Sequence, residues 1–307
     1  MTDTVVDITV DTSATKCGLV ALVGRPNVGK STLLNHLVGQ KISITSRKPQ
    51  TTRHRVLGIK TEGSNQLVFV DTPGFHRGIN KTMNRYMNRT VSSTLLDVDV
   101  VLFVTDQLWL GEEDEALIQQ LQRLQCPVLL VINKTDELAD KAQLLPFIDK
   151  VSKQLGFFRE VIPVSALKLQ NTDQLEATIV RYLPVQPWFY PEDQLTDRNA
   201  RFLAAEFVQE KIMRQMGDEL PYETAVEIEE FREEGAVFHI SAVILVEKET
   251  QKRMLIGEHG SRLKLIGTEA RKDMERMFDC KVMLKLWVKV KSGWSDDERA
   301  LRSLGFE

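Results

Sequence analysis

Eight consecutive residues near the start of the chain have the types and spacing of a phosphate-binding loop. Residues 24–31, Gly-Arg-Pro-Asn-Val-Gly-Lys-Ser, fit the pattern GxxxxGK followed by Ser or Thr, and they lie between an apolar run and an amphipathic run. Glycines let successive backbone N–H groups aim at a phosphate, and the lysine can reach the β- and γ-phosphates. The serine hydroxyl can bind Mg²⁺. The residues expected to bind nucleotide here are Gly24, Arg25, Pro26, Asn27, Val28, Gly29, Lys30, Ser31 and Thr32.

A second segment suits the metal ion and the terminal phosphate. Asp71-Thr72-Pro73-Gly74 follows a strand-like run, so Asp71 can hold Mg²⁺ through a water molecule and the Gly74 N–H can meet the γ-phosphate. The next residue is Phe75, which cannot orient an attacking water as a glutamine does there in Ras-like enzymes. We therefore expect slow intrinsic hydrolysis, and we include Thr72, Pro73 and Phe75 in the nucleotide site.

Two further segments predict that the base is guanine. Asn133-Lys134-Thr135-Asp136 follows a buried run and fits the pattern NKxD, and Ser165-Ala166-Leu167 follows the next strand-like run. The Asp136 carboxylate can accept hydrogen bonds from the guanine N1–H and exocyclic amine. Adenine offers a bare acceptor at N1 and would leave a buried group unpaired. Residues 165–167 fit a backbone contact to guanine O6. Four such segments in this order are far more specific than any one alone.

Short apolar runs alternate with amphipathic runs through the first part of the chain. This alternation predicts βαβ units, and hence an α/β P-loop domain with a mostly parallel sheet and helices on both faces. Residues 184–191 contain three prolines and end that rhythm. The order α-β-β-α-α-β after them predicts an α+β domain with three strands and helices on one face. The expected divisions are a mobile N-terminal extension (1–16), a GTPase domain (17–184), a Pro-rich linker (185–196) and a second domain with a C-terminal tail (197–307).

The second domain carries a glycine loop, Gly257-Glu258-His259-Gly260, within a basic stretch. Residues 251–294 contain eleven basic and five acidic side chains, whereas residues 191–250 contain six and fifteen. Glycines let an RNA backbone approach closely, and a local basic field attracts its phosphates. An ordinary helix corner is the alternative for the loop. Trp294 either stacks on a base or acts as a hydrophobic latch. The loop and its flanking helices resemble those of a type II KH domain. The RNA contacts that this resemblance implies are Ile256, Gly257, Glu258, His259, Gly260, Ser261, Arg262, Lys264, Lys272 and Trp294.

Together these segments resemble the Era-like GTPases over roughly residues 16–306, which include both domains and the linker. Residues 50–54, Gln-Thr-Thr-Arg-His, resemble the first switch of that family, and the resemblance makes Thr52, in preference to Thr51, the ligand of Mg²⁺ and the γ-phosphate. The second domain resembles a type II KH domain, which clamps about four nucleotides of single-stranded RNA. An asparagine at the position of Asn27 helps related GTPases to hold K⁺. The catalytic residues that the resemblance implies are Asn27, Lys30, Thr52 and Gly74.

The resemblance also implies partners and a location. It implies a GTPase that uses GTP, GDP and Mg²⁺, binds the 3′ region of 16S ribosomal RNA and acts in maturation of that RNA and assembly of the 30S ribosomal subunit. It further implies a cytoplasmic monomer that does not bind DNA, with peripheral contact to the inner membrane as an additional expectation. The alternative is an RNA-binding assembly factor in which the nucleotide is mainly a structural ligand and hydrolysis is incidental.

Composition narrows the class of protein. Hydrophobic residues make up 42% and charged residues 27% of the 307 residues, which excludes a disordered chain. The longest apolar runs are strand-length, and the N-terminus lacks a basic segment ahead of an apolar one. We therefore expect neither a membrane span nor a secretory signal. The three cysteines lie far apart, which argues against a zinc site and fits a reducing compartment.

Overall fold

The computed structural model describes residues 15–48, 51–74, 82–217 and 223–294. Several sequence-based expectations lie outside the described residues: most of the N-terminal extension, Gln50 in the first switch, Phe75, and the C-terminal tail from residue 295. Within the described residues, the chain forms an α/β domain followed by an α+β domain, as the sequence predicts.

The first domain is built on a six-stranded sheet. Its strands are β1 (Lys16–Val23), β2 (Val56–Glu62), β3 (Asn65–Asp71), β4 (Val100–Thr105), β5 (Val128–Ile132) and β6 (Phe158–Pro163). Its helices are α1 (Lys30–Val38), α2 (Thr82–Thr94), α3 (Glu112–Leu121), α4 (Leu144–Gln154) and α5 (Thr172–Tyr182). The strand order is β2-β3-β1-β4-β5-β6, and only β2 and β3 pair antiparallel. The predicted mostly parallel sheet is confirmed.

Both faces of this sheet are covered, which explains the unbroken apolar runs of its central strands. Every residue of β4 and β5 is buried. Helices α1 and α5 pack on one face, and α2, α3 and α4 pack on the other. Because β1, β3, β4, β5 and β6 are parallel, their carboxyl ends lie at the same edge of the sheet, where such folds bind ligands.

The proline-rich linker lies along the sheet rather than crossing open solvent. The Gln66 side chain accepts hydrogen bonds from the N–H groups of Phe189 and Tyr190, at 2.9 and 3.0 Å. The Ile59 N–H of the edge strand β2 donates to the Leu195 carbonyl at 2.8 Å. The linker thus uses the backbone groups that an edge strand would otherwise expose.

The second domain has the predicted order of elements. They are α6 (Ala200–Gln215), β7 (Thr224–Glu234), β8 (Val237–Val246), α7 (Glu249–Ile256), α8 (Ser261–Phe278) and β9 (Lys281–Val290). The sheet order is β7-β8-β9, with β7 and β8 antiparallel and β8 and β9 parallel. The three helices share one core with one face of this sheet.

Candidate nucleotide site and its contacts with the second domain

The phosphate loop connects β1 to α1, and its backbone needs glycine at two points. Gly24 has φ +148°, and a Cβ there would lie 2.2 Å from the Val104 carbonyl oxygen. Gly29 has φ +97° and precedes the first residue of α1. Asn27 has φ +64°, a conformation that asparagine tolerates better than most residues. The loop therefore turns its N–H groups and the helix N-terminus toward a common point, which suits an anion.

Lys30 is a buried cation at this point. Its side chain is 6% exposed, and its Nζ donates to the carbonyls of Gly24 and Arg25 at 3.0 and 2.8 Å. Burial lowers the pKa of Lys30 to about 8, although the charges of Asp71 and Asp106 act in the opposite direction. A bound phosphate would stabilise the charged form further, so the site favours an anionic ligand.

Hydroxyl groups converge on the buried carboxylate of Asp71 next to this lysine. Ser31 Oγ and Ser43 Oγ donate to Asp71 Oδ2 at 2.6 and 2.7 Å, and Thr52 Oγ1 lies 2.7 Å from Ser31 Oγ. Burial raises the pKa of Asp71, against the hydrogen bonds of these hydroxyls and the charge of Lys30. Among the described residues, Asp71 Oδ1 has no hydrogen-bond partner. A set of hard oxygen donors with an unused carboxylate oxygen fits Mg²⁺.

The structure brings Thr52, and not Thr51, to this group. Thr51 Oγ1 is hydrogen-bonded to Ser46 Oγ at 2.6 Å and to the Lys48 carbonyl at 2.7 Å. Sequence reasoning missed Ser43, which no motif marks and only the fold brings to Asp71. Gly74 also lies close to the phosphate loop, since a Cβ there would be 2.9 Å from the Pro26 nitrogen.

The guanine-reading segments meet at the ends of β5 and β6. Asn133 Nδ2 donates to the Val28 carbonyl at 2.8 Å, and Asn133 Oδ1 accepts from the Ala166 N–H at 3.0 Å. Asn133 thus joins the base-reading loops to the phosphate loop. Ser165 Oγ donates to Asp136 Oδ1 and fixes that carboxylate.

One cavity of about 550 Å³ runs past these groups, within the range of small-ligand sites. The predicted site residues that line it are Pro26, Asn27, Gly29, Lys30, Ser31, Thr32, Thr52, Gly74, Asn133, Lys134, Asp136, Ala166 and Leu167.

Other predicted site residues have side chains that face away from the cavity. Thr72 Oγ1 donates to the Leu22 carbonyl, and Thr135 Oγ1 donates to the Val164 carbonyl. Arg25 forms ion pairs with Asp106 and Asp114 beside the cavity. Their side chains therefore hold the loops, and only their backbone groups can face a nucleotide.

Residues 41–48 and 51–55 lie between the nucleotide cavity and the second domain. Lys41 Nζ contacts Glu210 of α6 at 2.5 Å and Asp273 of α8 at 2.7 Å. The Thr45 N–H donates to Glu210 Oε1 at 2.9 Å. Arg53, the neighbour of Thr52, is 5% exposed and donates from Nη1 to the Thr224 carbonyl at 2.6 Å. Residues beside the nucleotide cavity are thus hydrogen-bonded to the second domain.

These contacts are buried and charged. Lys211 contacts both Glu210 and Asp273, so two lysines face two carboxylates. Burial alone would raise the pKa values of Glu210 and Asp273, but Lys41 and Lys211 outweigh it. The pKa of Glu210 therefore lies below its ordinary value, and that of Asp273 falls to about 2. Both carboxylates remain ionised and bound to the lysines at neutral pH.

Glu206 of α6 is also buried at this boundary, in a small cavity beside Arg53 and His54. Burial raises its pKa to about 7, although the charges of Arg53 and Arg198 oppose that rise.

The glycine loop of the second domain is an exposed turn between α7 and α8. Gly257 has φ +71° and Gly260 has φ +77°, and a Cβ at Gly257 would lie 2.8 Å from the Arg262 Cβ. The Glu258 and His259 side chains are 90% and 93% exposed. Arg262 Nη1 donates to the Met254 carbonyl and braces the turn. A groove between α8 and β9 continues from this loop and is lined by Gly260, Leu263, Lys264, Gly267, Thr268, Arg271, Leu284 and Leu286.

The expectation that Trp294 stacks on a base is not met in this structure. Its side chain is 1% exposed, so its ring faces cannot receive a base. The alternative role as a hydrophobic latch agrees with this burial. Ile256, Ser261, Lys264 and Lys272 lie on α7 and α8 around the loop, with Ser261, Lys264 and Lys272 exposed.

The described residues contain neither a membrane-spanning helix nor a cluster of metal-binding side chains. None of their helices is long and apolar enough to cross a membrane. No three of their His, Cys, Asp and Glu side chains form a cluster that could hold a metal ion.

Comparison with known proteins matches each of the two domains to a family model. A family model described as "50S ribosome-binding GTPase" matches residues 19–134, and one described as "KH domain" matches residues 219–295. GTPase Era of Pseudomonas fluorescens strain Pf0-1 is 60% identical over 296 residues, which cover 96% of this chain and 98% of that protein. GTPase Era of Pseudomonas aeruginosa strain LESB58 is 60% identical over 294 residues, 96% of each chain.

Solved structures agree over nearly the whole chain. A single-substitution variant of Era from Aquifex aeolicus, bound to GDP·AlF₄⁻, has a TM-score of 0.92 and 40% identity, and the match covers 95% of this chain and 99% of that one. Era in complex with MgGDPNP and nucleotides 1506–1542 of 16S ribosomal RNA gives the same values.

Proposed function

The chain belongs to the Era family of GTPases, and on that premise we propose that its hydrolysis of GTP times the release of an RNA held by the KH domain. The observation that carries this proposal concerns residues 41–48 and 51–55, which form one wall of the nucleotide cavity and contact α6, α8 and β7 of the KH domain. A change at the γ-phosphate that moves Thr52 must strain the contact of Arg53 with Thr224, because the two residues are adjacent. Nucleotide state and domain arrangement are therefore linked.

We propose the 3′ region of 16S ribosomal RNA, within the assembling small subunit, as the RNA. The support is the likeness, over 95% of this chain, to an Era structure that holds nucleotides 1506–1542 of that RNA together with MgGDPNP. The basic stretch around the glycine loop supplies the charge that such a ligand needs. On the same premise we place the protein in the cytoplasm as a monomer that does not bind DNA, with peripheral contact to the inner membrane as a further proposal.

In the proposed mechanism, Ser31 and Thr52 would hold Mg²⁺ directly and Asp71 would hold it through water. The ion supplies positive charge to the β- and γ-phosphates when it is bound. Lys30 and the α1 N-terminus add to that charge, and the Gly74 N–H can donate to the γ-phosphate. Ser43 also donates to Asp71 Oδ2 and fixes that carboxylate.

We propose K⁺ as a further cation beside Asn27, because Phe75 provides no side chain that could orient water. Asn27 is exposed in the cavity wall, and its Nδ2 donates to the Arg47 carbonyl at 2.8 Å. The amide oxygen and the carbonyls of this loop are hard donors of the kind that bind such a cation.

RNA binding by the glycine loop is tested by replacing its two exposed residues with aspartate. Glu258→Asp with His259→Asp should leave the fold intact, since both side chains are at least 90% exposed. Two short carboxylates on the loop that would contact the RNA phosphates should reduce affinity for nucleotides 1506–1542 of 16S ribosomal RNA by at least tenfold, or about 1.4 kcal/mol.

The measurement is RNA titration of both proteins, with circular dichroism as the control for folding. A matched pair of changes, Glu115→Asp with His36→Asp, adds the same charge on exposed positions of the GTPase domain and should leave RNA affinity unchanged. A folded glycine-loop variant with unchanged RNA affinity would contradict the proposal.

A further inference from the structure

The outer face of β9 combines an exposed aromatic ring with several lysines. The even-numbered residues from Val282 to Val290 pack into the core with the helices. The odd-numbered residues therefore lie on the opposite face of the strand. Trp287 is 39% exposed and Met283 is 50% exposed on that face, and Lys281, Lys285 and Lys289 are exposed beside them.

Several arginines of the domain are neutralised by neighbouring carboxylates. Arg271 is paired with Glu275, Arg276 with Asp273, and Arg232 with Glu230. In the part of the chain that the structure describes, Lys281, Lys285, Lys289 and Lys291 form no ion pair. Alternate residues on a strand are ~6.6 Å apart. The edge strand thus carries a row of lysines that are not held in the described ion pairs, which favours a polyanion as its ligand.

Trp287 has the setting of a stacking residue, in contrast to the buried Trp294. It pairs in the sheet with Val243, which is 1% exposed, so an apolar neighbour flanks its ring on one side. Among the strands that the structure describes, none lies beyond β9 to cover Trp287 on its other side. An exposed indole between lysines is the combination that binds single-stranded nucleic acid: the bases stack and the ammonium groups meet the phosphates.

This face continues from the groove of the glycine loop. Leu284 and Leu286 of β9 form one wall of that groove, and a Cβ at Gly267 of α8 would lie 3.3 Å from the Leu286 side chain. Lys285 and Trp287 follow these leucines directly in sequence and face the other side of the same edge strand. An RNA chain that leaves the groove across β9 therefore meets Lys285 and Trp287 next.

We propose that the outer face of β9 is a second contact for single-stranded RNA, in which Trp287 stacks on a base while Lys285 and Lys289 bind flanking phosphates. This inference rests on the proposed function, since it concerns the RNA that the glycine loop holds. A glycine loop clamps about four nucleotides. The RNA proposed above is much longer, so nucleotides outside the clamp are available to this face.

The test is titration of the full chain, loaded with MgGDPNP, with nucleotides 1506–1542 of 16S ribosomal RNA. Trp287→Ala should lower affinity about tenfold, the usual size of a lost base–aromatic stack. Trp287→Phe keeps an aromatic face and should retain most of the affinity. Saturating RNA should quench the tryptophan fluorescence of the wild type more than that of Trp287→Phe.

The lysines are tested by the salt dependence of binding. Lys285→Gln with Lys289→Gln should reduce the slope of log affinity against log salt by about 1.4, since each lost phosphate contact with a single strand contributes about 0.7. Lys150→Gln with Lys153→Gln, on exposed α4, removes the same charge and should leave that slope unchanged.

The outcomes separate this inference from the proposed function. If the β9 variants bind RNA like the wild type while Glu258→Asp with His259→Asp does not bind, the proposed function holds and the second contact is wrong. If the glycine-loop variant binds normally, the proposed function itself fails. Vesicles of phosphatidylglycerol and phosphatidylethanolamine provide the remaining arm: lysine variants that lose vesicle binding and keep full RNA affinity would assign this face to a membrane and overturn the inference.

Discussion

Asp136 lies at the end of the cavity where a carboxylate can select guanine, and Ser165 holds it there through a hydrogen bond to Oδ1. We predict that Asp136→Asn weakens GTP binding and shifts preference toward xanthosine triphosphate. The asparagine amide can donate to the carbonyl that replaces the guanine amine, and loss of the charge-assisted bond to guanine should cost ~1.5–3 kcal/mol. Titration of both nucleotides against both proteins measures this shift. Asp149→Asn, on exposed α4, is the control, and tight GTP binding by the Asp136→Asn protein would contradict the role of this loop as the base reader.

Asn27 can be tested as the K⁺ ligand through the choice of salt. We predict that GTP hydrolysis is faster in K⁺ than in Na⁺ at equal ionic strength, and that Asn27→Ala removes the difference with little loss of nucleotide affinity. The reason is that added positive charge beside the phosphates lowers the barrier, whereas Na⁺ is too small to reach the same ligands. Single-turnover hydrolysis with saturating Mg²⁺ is the measurement.

Asn171→Ala is the matched control for this prediction. Asn171 also has a positive φ, of 58°, and its Nδ2 also donates to a carbonyl, that of Pro163 at 3.0 Å. Its replacement should leave the difference between the salts in place. Equal wild-type rates in K⁺ and Na⁺ would remove K⁺ from the mechanism.

The sequence predicted the roles of residues that belong to a recognisable motif. It did not predict the roles of residues that only the fold brings into the site. Lys30, Asp71 and Asn133 stand in short patterns whose chemistry can be read from their spacing. Ser43 carries no pattern, because the chain brings it to Asp71 from 28 positions away. The two tryptophans show the same limit: the position of Trp287 on a strand favoured packing and the position of Trp294 beyond that strand allowed stacking, but in the structure Trp287 is exposed and Trp294 is buried.

At the scale of helices and strands, α6 places Glu206 against Arg53, next to the switch residue Thr52. Burial raises the pKa of Glu206 from 4.5 to about 7, so the folded protein holds a proton there that the unfolded chain releases above pH 4.5. The stability that this proton provides is complete below pH 4.5 and is lost as the pH rises to about 7. At about 1.4 kcal/mol per pKa unit, the whole loss is roughly 3 kcal/mol.

We therefore predict that Glu206→Gln raises the free energy of unfolding by up to roughly 3 kcal/mol at pH 8 and changes it little at pH 4.5. Denaturant unfolding at the two pH values measures the difference. Glu115→Gln, at an exposed position of α3, should change neither value. An equal effect of Glu206→Gln at both pH values would show that this side chain does not titrate between them.

The existence and order of the elements followed from the sequence, but their contacts with each other did not. The runs that form β4 and β5 are uniformly apolar, which is required of parallel strands buried on both faces. The proline content of the linker predicted an extended segment, but nothing in it indicated that Gln66 and Ile59 would bind it. The ion pair between Lys41 and Asp273 joins positions that are 232 residues apart, and no local pattern marks such a pair.

At the scale of the whole molecule, the nucleotide cavity and the glycine loop belong to different domains and are connected through packed elements. Helix α8 begins at the glycine loop and carries Asp273 further along, where Asp273 binds Lys41. Lys41 follows α1, the helix that starts at the phosphate loop. In the proposed account, a shift of α8 on RNA binding would act on the wall of the nucleotide cavity through one buried charge network. Coupling of this kind works in both directions, so GTP should also favour RNA binding.

The contact between the GTPase domain and helices α6 and α8 can be tested by replacing Lys41 alone. Lys41→Met removes the cation shared by Glu210 and Asp273 but leaves the phosphate loop and the glycine loop unchanged. Lys60→Met is the matched control, because Lys60 also binds two carboxylates, Glu62 and Glu176, but entirely within the GTPase domain. Typical coupling energies of about 1–3 kcal/mol correspond to roughly 5- to 150-fold effects.

We propose that GTP hydrolysis and RNA binding are coupled. The most direct test of this coupling is single-turnover GTP hydrolysis with and without nucleotides 1506–1542 of 16S ribosomal RNA, in the wild type, Lys41→Met and Lys60→Met. We predict that RNA changes the wild-type and Lys60→Met rates at least fivefold, within the usual range of coupling between sites. The RNA effect should be much smaller in Lys41→Met, although that variant still binds both GTP and RNA. A wild-type rate that is the same with and without saturating RNA would contradict the account and would favour a protein whose nucleotide is mainly a structural ligand.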